Sequence, residues 1–378
     1  MTLENLLREI AQNPFQRPRI AGGWESVPFT TKAELAADFA AHPPYGTNLT
    51  FPRERYTRFC QTSGTTGTPL AILDTPESWD WMLANWTRIY REGGILPGHS
   101  IYFAFSFGPF LGFWTAFESA AKYGALCIPG GGLSTAARLR AMATHRPDAL
   151  CCTPTYALHL AEVAKQERLQ ISVRKIFVAG EPGGSIPSVR ERISAAWNGA
   201  EVLDHYGMTE VGPVAFQRTG QPGVLHIIEE SYHAEVIDPA TAQPVPDGTI
   251  GELVLTPLGR TAWPLLRYRT GDLVLRRGAT LEGGIIGRAD DMLVVRGVNI
   301  YPTAIETIIR AIPEILEYRV TVSSRSELTE LTIEIETPDD TAAARLERTL
   351  GETLAIRIPV RRVENLPRFE HKARRWVK

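Results

Sequence analysis

Apolar and polar positions along this chain change period repeatedly, and each change marks a different kind of element. Trp79, Met82, Leu83, Trp86, Ile89 and Tyr90 recur at three- and four-residue spacing, which predicts a helix with one buried face. Pro76 and Glu77 suit its first turn, and Gly93 and Gly94 close it. Short apolar runs then alternate with helical stretches. Strands are predicted at 101–105, 126–128, 149–152, 173–179 and 201–203, and helices at 110–123, 134–144, 156–165 and 187–197. Repeated strand–helix units predict a mostly parallel sheet covered by helices. After Thr209 the pattern turns to strands and turns, at 234–237, 250–255 and 273–275, which predicts an antiparallel or barrel-like subdomain. From about residue 291 a compact α+β module follows, with helices at 303–311 and 340–350 and strands at 317–322, 330–336 and 357–363. The expected class is α/β: a large N-terminal domain of mixed βα sheets plus a β-rich subdomain, and a small α+β C-terminal domain on a hinge.

Composition narrows this little. The 378 residues are long enough for two or three domains, and 44% hydrophobic with 22% charged is ordinary for a globular chain. A formal net charge of −2 points to neither a nucleic-acid nor a membrane partner. Lysine occurs only six times, so nearly all positive charge is arginine. Cys60, Cys127, Cys151 and Cys152 sit in apolar surroundings without metal-ligand spacing and read as buried free thiols. Residues 1–12 do not read as a signal peptide, and no apolar run is long enough for a membrane span. A reducing cytoplasm is the expected location.

The chemistry-bearing stretch is Thr62, Ser63, Gly64, Thr65, Thr66, Gly67, Thr68 and Pro69, between two apolar runs. Hydroxyls, free backbone N–H groups and glycines that let the backbone approach closely make a receptor for phosphate, although a flexible linker has a similar composition. It lacks the Gly-Lys-Ser/Thr ending of a Walker loop. Four further clusters each admit a bland reading. Gly180, Glu181, Pro182 and Gly183 follow a strand, as a tight turn or as a ligand loop at a strand's carboxyl end. Asp204, His205, Tyr206, Gly207, Met208, Thr209 and Glu210 read as any turn or as an aromatic platform joined to a carboxylate, and Glu210 suits magnesium, which prefers hard oxygen donors. Tyr268, Arg269, Thr270, Gly271 and Asp272 place an acid after a glycine, fit for two ribose hydroxyls or for a salt-bridged hairpin. Gly287, Arg288, Ala289, Asp290 and Asp291 form a charged turn, a solvated loop or a hinge. The terminal run 367–375 is basic.

In this order, with residues 149–156, the clusters make the chain similar to the adenylate-forming superfamily of acyl-CoA synthetases, adenylation domains and luciferases. The resemblance is strongest to the phenylacetate-CoA ligase family and covers residues 27–378. It implies a large adenylation domain, 1–289, with the ATP and acyl pockets, and a small mobile domain, 290–378. By that resemblance Thr62, Ser63, Gly64, Thr65, Thr66 and Gly67 hold the ATP phosphates, Glu210 binds Mg2+, and Thr209 meets the α-phosphate. Gly180, Glu181, Pro182, Asp204, His205, Tyr206 and Gly207 frame the nucleotide, Asp272 with Arg288 grips the ribose, and Asp290 is the hinge. Lys372 matches the mobile catalytic lysine. Phe107, Phe110, Tyr156, Ala179 and Met208 line the acyl pocket, and a channel for the thiol runs beside Gly297.

The implied function is ATP- and Mg-dependent adenylation of an aromatic or arylacetic acid, followed by acyl transfer to coenzyme A, in a cytoplasmic enzyme; the family suggests a homodimer, and the oligomeric state stays open. Two other readings stay open. The adenylate passes to a carrier protein or reductase, as in shortened members of antibiotic biosynthesis acting on phenazine-type acids, or the chain is a silent nucleotide- or acyl-binding protein. Three departures bear on the choice: Thr68 where relatives carry lysine, His371 where they carry glycine, and an N-terminus several tens of residues shorter.

Overall fold

The computed structural model describes residues 1–62, 69–291, 293–295, 298–325, 328–368 and 375–377. Of the sequence-derived site residues, Ser63, Gly64, Thr65, Thr66, Gly67, Gly297 and Lys372 lie outside the described residues, as do Thr68 and His371.

The N-terminal part carries α1 (Leu3–Glu9) and α2 (Lys32–Ala41). Thr31 and Glu34 cap α2 reciprocally: the Glu34 amide donates to the Thr31 hydroxyl and the Thr31 amide to the Glu34 carboxylate. A hairpin of β1 (Arg58–Gln61) and β2 (Ala71–Asp74) follows, and α3 (Pro76–Glu92) runs from it with the predicted aromatic face buried. The alternating segment is β3 (Ser100–Phe103), α4 (Leu111–Tyr123), β4 (Leu126–Pro129), α5 (Thr135–His145), β5 (Ala149–Cys152), α6 (Pro154–Gln166), β6 (Lys175–Val178), α7 (Pro187–Ala196) and β7 (Glu201–Met208). Its strands pair in parallel in the order β4-β3-β5-β6-β7. Successive side chains point to opposite faces. Phe103, Cys151, Phe177 and Leu203 therefore join α3 and α4 in one core, while Tyr102, Leu150, Ile176 and Val202 join α5, α6 and α7 in another.

The antiparallel strands are β8 (Gly212–Gln217), β9 (Val224–Ile227), β10 (Tyr232–Ile237), β11 (Ile250–Pro257), β12 (Tyr268–Arg277) and β13 (Thr280–Arg288). They do not stand apart as a separate barrel. They continue the same sheet in the order β7-β8-β9-β13-β12-β11-β10. The splice is β7 itself, longer than the sequence pattern suggested: Glu201 to Asp204 pair in parallel with β6, and His205 to Met208 pair antiparallel with β8.

A second sheet with its own apolar core follows, from β14 (Leu293–Val295), β15 (Val298–Ile300), β16 (Glu317–Arg325), β17 (Leu328–Glu336), β18 (Val360–Val363) and β19 (Trp376–Val377). Ile305 and Ile309 of α8 (Pro302–Arg310) and Leu346 and Leu350 of α9 (Ala342–Leu354) seal that core. No helix among the described residues is long and apolar enough to cross a membrane.

Candidate active site

The large sheet presents one loop after each of β5, β6 and β7, at the strand ends where α/β sheets collect ligands. The loop after β6 carries Gly180, Glu181 and Pro182. The Thr155 amide, in the first turn of α6, donates to the Glu181 carboxylate at 2.7 Å, so the loops after β5 and β6 are fastened together. The chain then turns through Gly183 and Gly184 over Asp204. A Cβ at Gly184 would lie 2.4 Å from the Asp204 carboxyl carbon, so only glycine permits this approach. The Ser185 hydroxyl donates to Asp204 Oδ2 at 2.5 Å, and burial pushes the Asp204 carboxyl up to about 7.

The period of two along β7 separates its neighbours. Tyr206 reaches across to β12, where its hydroxyl donates to Asp272 Oδ2 at 2.6 Å. Arg288 donates to the other oxygen at 3.0 Å and grips Asp290 with two further bonds of 2.8 and 2.9 Å. Asp272 and Arg288 face each other in the β12–β13 register. Burial raises the Asp272 carboxyl to about 6 against the opposing pull of Arg288. Gly271 has a φ of 75°, and a side chain there would also strike the Arg288 guanidinium.

His205 goes to the opposite face, edge-on to Trp86 at 4.3 Å between ring centroids, and burial lowers its pKa to about 4. Its imidazole packs on that tryptophan and does not join Tyr206 and Asp272. Gly207 is backed by the carbonyl of Gly212.

Beyond β7, Thr209 and Glu210 are held through their carbonyls. Arg260, fully buried, donates to both at 2.7 and 2.9 Å while its other nitrogens grip Asp74 at the end of β2. The Glu210 carboxylate is buried, with the Tyr268 hydroxyl at 3.5 Å and Lys32 Nζ at 3.4 Å. A buried carboxylate of this kind fits Mg2+. That ion takes one or two protein carboxylates and completes its shell with phosphate oxygens and water. Thr62 closes the neck of the hydroxyl-rich loop: its amide donates to the Leu70 carbonyl and its hydroxyl accepts from the Leu70 amide.

Of the expected acyl-pocket residues, Phe107 packs edge-on to Phe105 and Phe117 and against Trp114, and Phe110 meets Phe113 at 6.0 Å. The Trp114 indole donates to the Gly108 carbonyl and pins this loop onto α4. Met208 packs on the core of the same face. Ala179 is half-buried at the end of β6. Tyr156 is not brought to this group. It lies in the core of the other face, where its hydroxyl accepts from Arg138 at 2.6 Å.

The AMP-binding enzyme family matches residues 34–257, and the AMP-binding enzyme C-terminal domain matches 297–378. The chain belongs to the AMP-binding enzymes. A phenylacetate-coenzyme A ligase of Thermus thermophilus is 32% identical over 324 residues, covering 82% of this chain and 71% of its own. A solved 2-hydroxyisobutyryl-CoA ligase, in the postadenylation state with an acyl-AMP, overlays with a TM-score of 0.91 at 28% identity, covering 99% of this chain and 87% of that one. The same ligase in its thioesterification state overlays at 0.73, with 30% identity and coverage of 99% and 87%. This AMP-binding enzyme is thus an AMP-forming acid–thiol ligase of the phenylacetate-coenzyme A ligase-like group.

Sequence reasoning missed three side chains of its site. Arg260 was visible only as a lone charge among Leu258, Ala262 and Trp263, a position that demands a buried partner. Asp74 carried no signal beyond its place before a helix. Lys32 was legible as the start of α2, but its approach to Glu210 comes from the pairing of Thr30 beside Tyr268.

Proposed function

We propose that this ligase condenses an aromatic or arylacetic acid with ATP to give an acyl-adenylate and pyrophosphate, and then transfers the acyl group to coenzyme A. The observation that carries the reading is the Tyr206–Asp272–Arg288 arrangement, with the buried Glu210 just beyond β7, the strand that carries Tyr206. A carboxylate fixed from one side by a phenol and from the other by a guanidinium is pre-aimed, and it offers oxygens to the two ribose hydroxyls. The loops of Gly180 to Pro182 and of Asp204 to Gly207 flank the adenine, with Tyr206 as its platform.

A carboxylate lacks a usable leaving group, so its oxygen attacks the α-phosphorus. The bond from that phosphorus to the bridging oxygen of pyrophosphate breaks. Negative charge grows on the phosphoryl oxygens and on the leaving pyrophosphate, and fixed cations and N–H donors stabilise it. Glu210 would hold Mg2+, which neutralises charge on the phosphates when bound. By resemblance Lys372 supplies a positive charge, Thr209 adds a donor at the α-phosphate, and Ser63 to Gly67 are the residues assigned to the leaving group. Lys32 offers a further cation beside Glu210, where Thr68 withholds one from the loop.

The relatives' phenylacetate specificity and the Phe105, Phe107, Phe113 and Trp114 rings support a planar aryl acid. The unit boundary falls at 289/290, with Asp290 as hinge, a division supported by the separate apolar core after Leu293.

Acid-dependent exchange of labelled pyrophosphate into ATP, driven by a panel of aryl and aliphatic acids, tests the first step. A thioester seen by mass on adding coenzyme A tests the second. Exchange without thioester would assign the acyl group to a carrier protein or reductase instead. Absence of exchange with every acid would leave a silent binder.

A further inference from the structure

We infer that Arg368 and Arg375 dock the small sheet onto α6, through Glu162 and Thr155, in the arrangement that serves adenylation, and that both contacts must break before thioester formation. This rests on the two-step reading above.

Each arginine is first fixed within its own sheet. Arg375 holds Glu317 with bonds of 2.6 and 3.1 Å, and Arg368 holds Glu336 with bonds of 2.8 and 2.7 Å. Each then reaches across. Arg375 Nη2 donates to the Thr155 hydroxyl at 3.3 Å, and Arg368 Nε lies 3.8 Å from the Glu162 carboxylate. Thr155 and Glu162 are seven residues apart on α6, about two turns, so both lie on one stripe of the helix. Guanidinium groups already clamped by their own glutamates lose little freedom on docking. The contact also reports on the nucleotide side, because the Thr155 amide is the donor that holds Glu181.

Docking is not attractive throughout. On α7, Arg192 lies partly buried near Arg310 and Arg375, and its Nη1 has no hydrogen-bond partner among the described residues. Burial, then Arg310 and Arg375, hold its pKa below the usual arginine value against the opposing pull of Glu317. The two attractive contacts therefore work against a repulsive one, which keeps the dock reversible. The overlay agrees: the chain matches one ligase at a TM-score of 0.91 in its postadenylation state and at 0.73 in its thioesterification state.

The test uses the full chain and measures the half-reactions separately, as pyrophosphate exchange and as thioester formation from synthetic acyl-adenylate and coenzyme A. The double variant Thr155→Val, Glu162→Gln should lose about tenfold in exchange, the effect of one charge-assisted hydrogen bond and a weak surface pair. It should form thioester from supplied adenylate at least as fast as wild type. Arg192→Gln should act oppositely, keeping exchange and slowing the second step. Equal loss in both half-reactions, or no change in either, overturns the inference. If the wild type shows no exchange with any acid of the panel, the functional reading fails on its own. The dock is then judged by small-angle scattering with AMP, where an unchanged envelope in the double variant overturns it and a more extended one supports it.

Discussion

Arg260 and Asp74 form a two-point ion pair with both side chains out of contact with solvent, Nε to Oδ1 at 2.8 Å and Nη2 to Oδ2 at 2.5 Å. The remaining guanidinium nitrogen binds the carbonyls of Thr209 and Glu210. One side chain thus ties the base of the β1–β2 hairpin, which carries the hydroxyl-rich loop, to the segment that carries Glu210. Breaking a buried pair strands the other charge, which costs about 3–5 kcal/mol. Asp74→Ala should lower unfolding stability by that order in urea titration. A midpoint within error of wild type would mean the pair does not matter.

Asp272 should make nucleotide affinity depend on pH. A protonated carboxyl cannot accept both ribose hydroxyls, and burial places its pKa at about 6. The KM for ATP should therefore rise as pH falls below about 6, while Tyr206→Phe should shift the onset. A KM that is flat from pH 5 to 8 would count against the ribose role.

Asp204 sets a slope in stability rather than in affinity. Its folded pKa, about 7, lies above the unfolded carboxylate value. The folded state then binds more protons than the unfolded one, so stability is present at low pH and is lost as pH rises from about 4 through 7. Asp204→Asn should flatten that part of the profile of melting temperature against pH. An unaltered slope would assign it elsewhere.

Glu210→Gln should raise the Mg2+ concentration needed for exchange and lower the rate by about 10²–10³, the usual cost of one lost charge-stabilising contact. Titration of Mg2+ at saturating ATP checks this. Lys372→Ala should lose exchange to a similar extent while ATP binding, followed by calorimetry, stays near wild type.

Phe107→Ala should raise the KM for aryl acids and leave the KM for ATP alone, because the ring packs on Phe105, Phe117 and Trp114. Tyr156→Phe should leave both unchanged and lower stability instead, since its hydroxyl accepts from buried Arg138.

The strand–helix alternation from residue 100 to 203 and the helix of α3 were legible because their apolar periods are purely local. The motifs were legible as an ordered series, and the structure joins three of their residues, Tyr206, Asp272 and Arg288, through hydrogen bonds. The motif at Asp204 to Met208 looked like a turn because glycine and charge interrupt its apolar run. It is a strand, since β6 and β8 supply hydrogen bonds on both sides of β7.

The order of residues alone was enough for the family, the two steps of chemistry and the fold class, because short motifs and periodicity survive without knowledge of distant partners. Folding alone settled which neighbours in a motif face each other: it sent His205 against Trp86 and Tyr206 onto Asp272, although the two are adjacent in the chain. It alone also brought Arg260 to Asp74 across 186 positions and Lys32 to Glu210. The reason is that a buried charge is tolerable only beside its counter-charge, and which counter-charge lies within reach is decided by strand register and packing, quantities that no local pattern encodes.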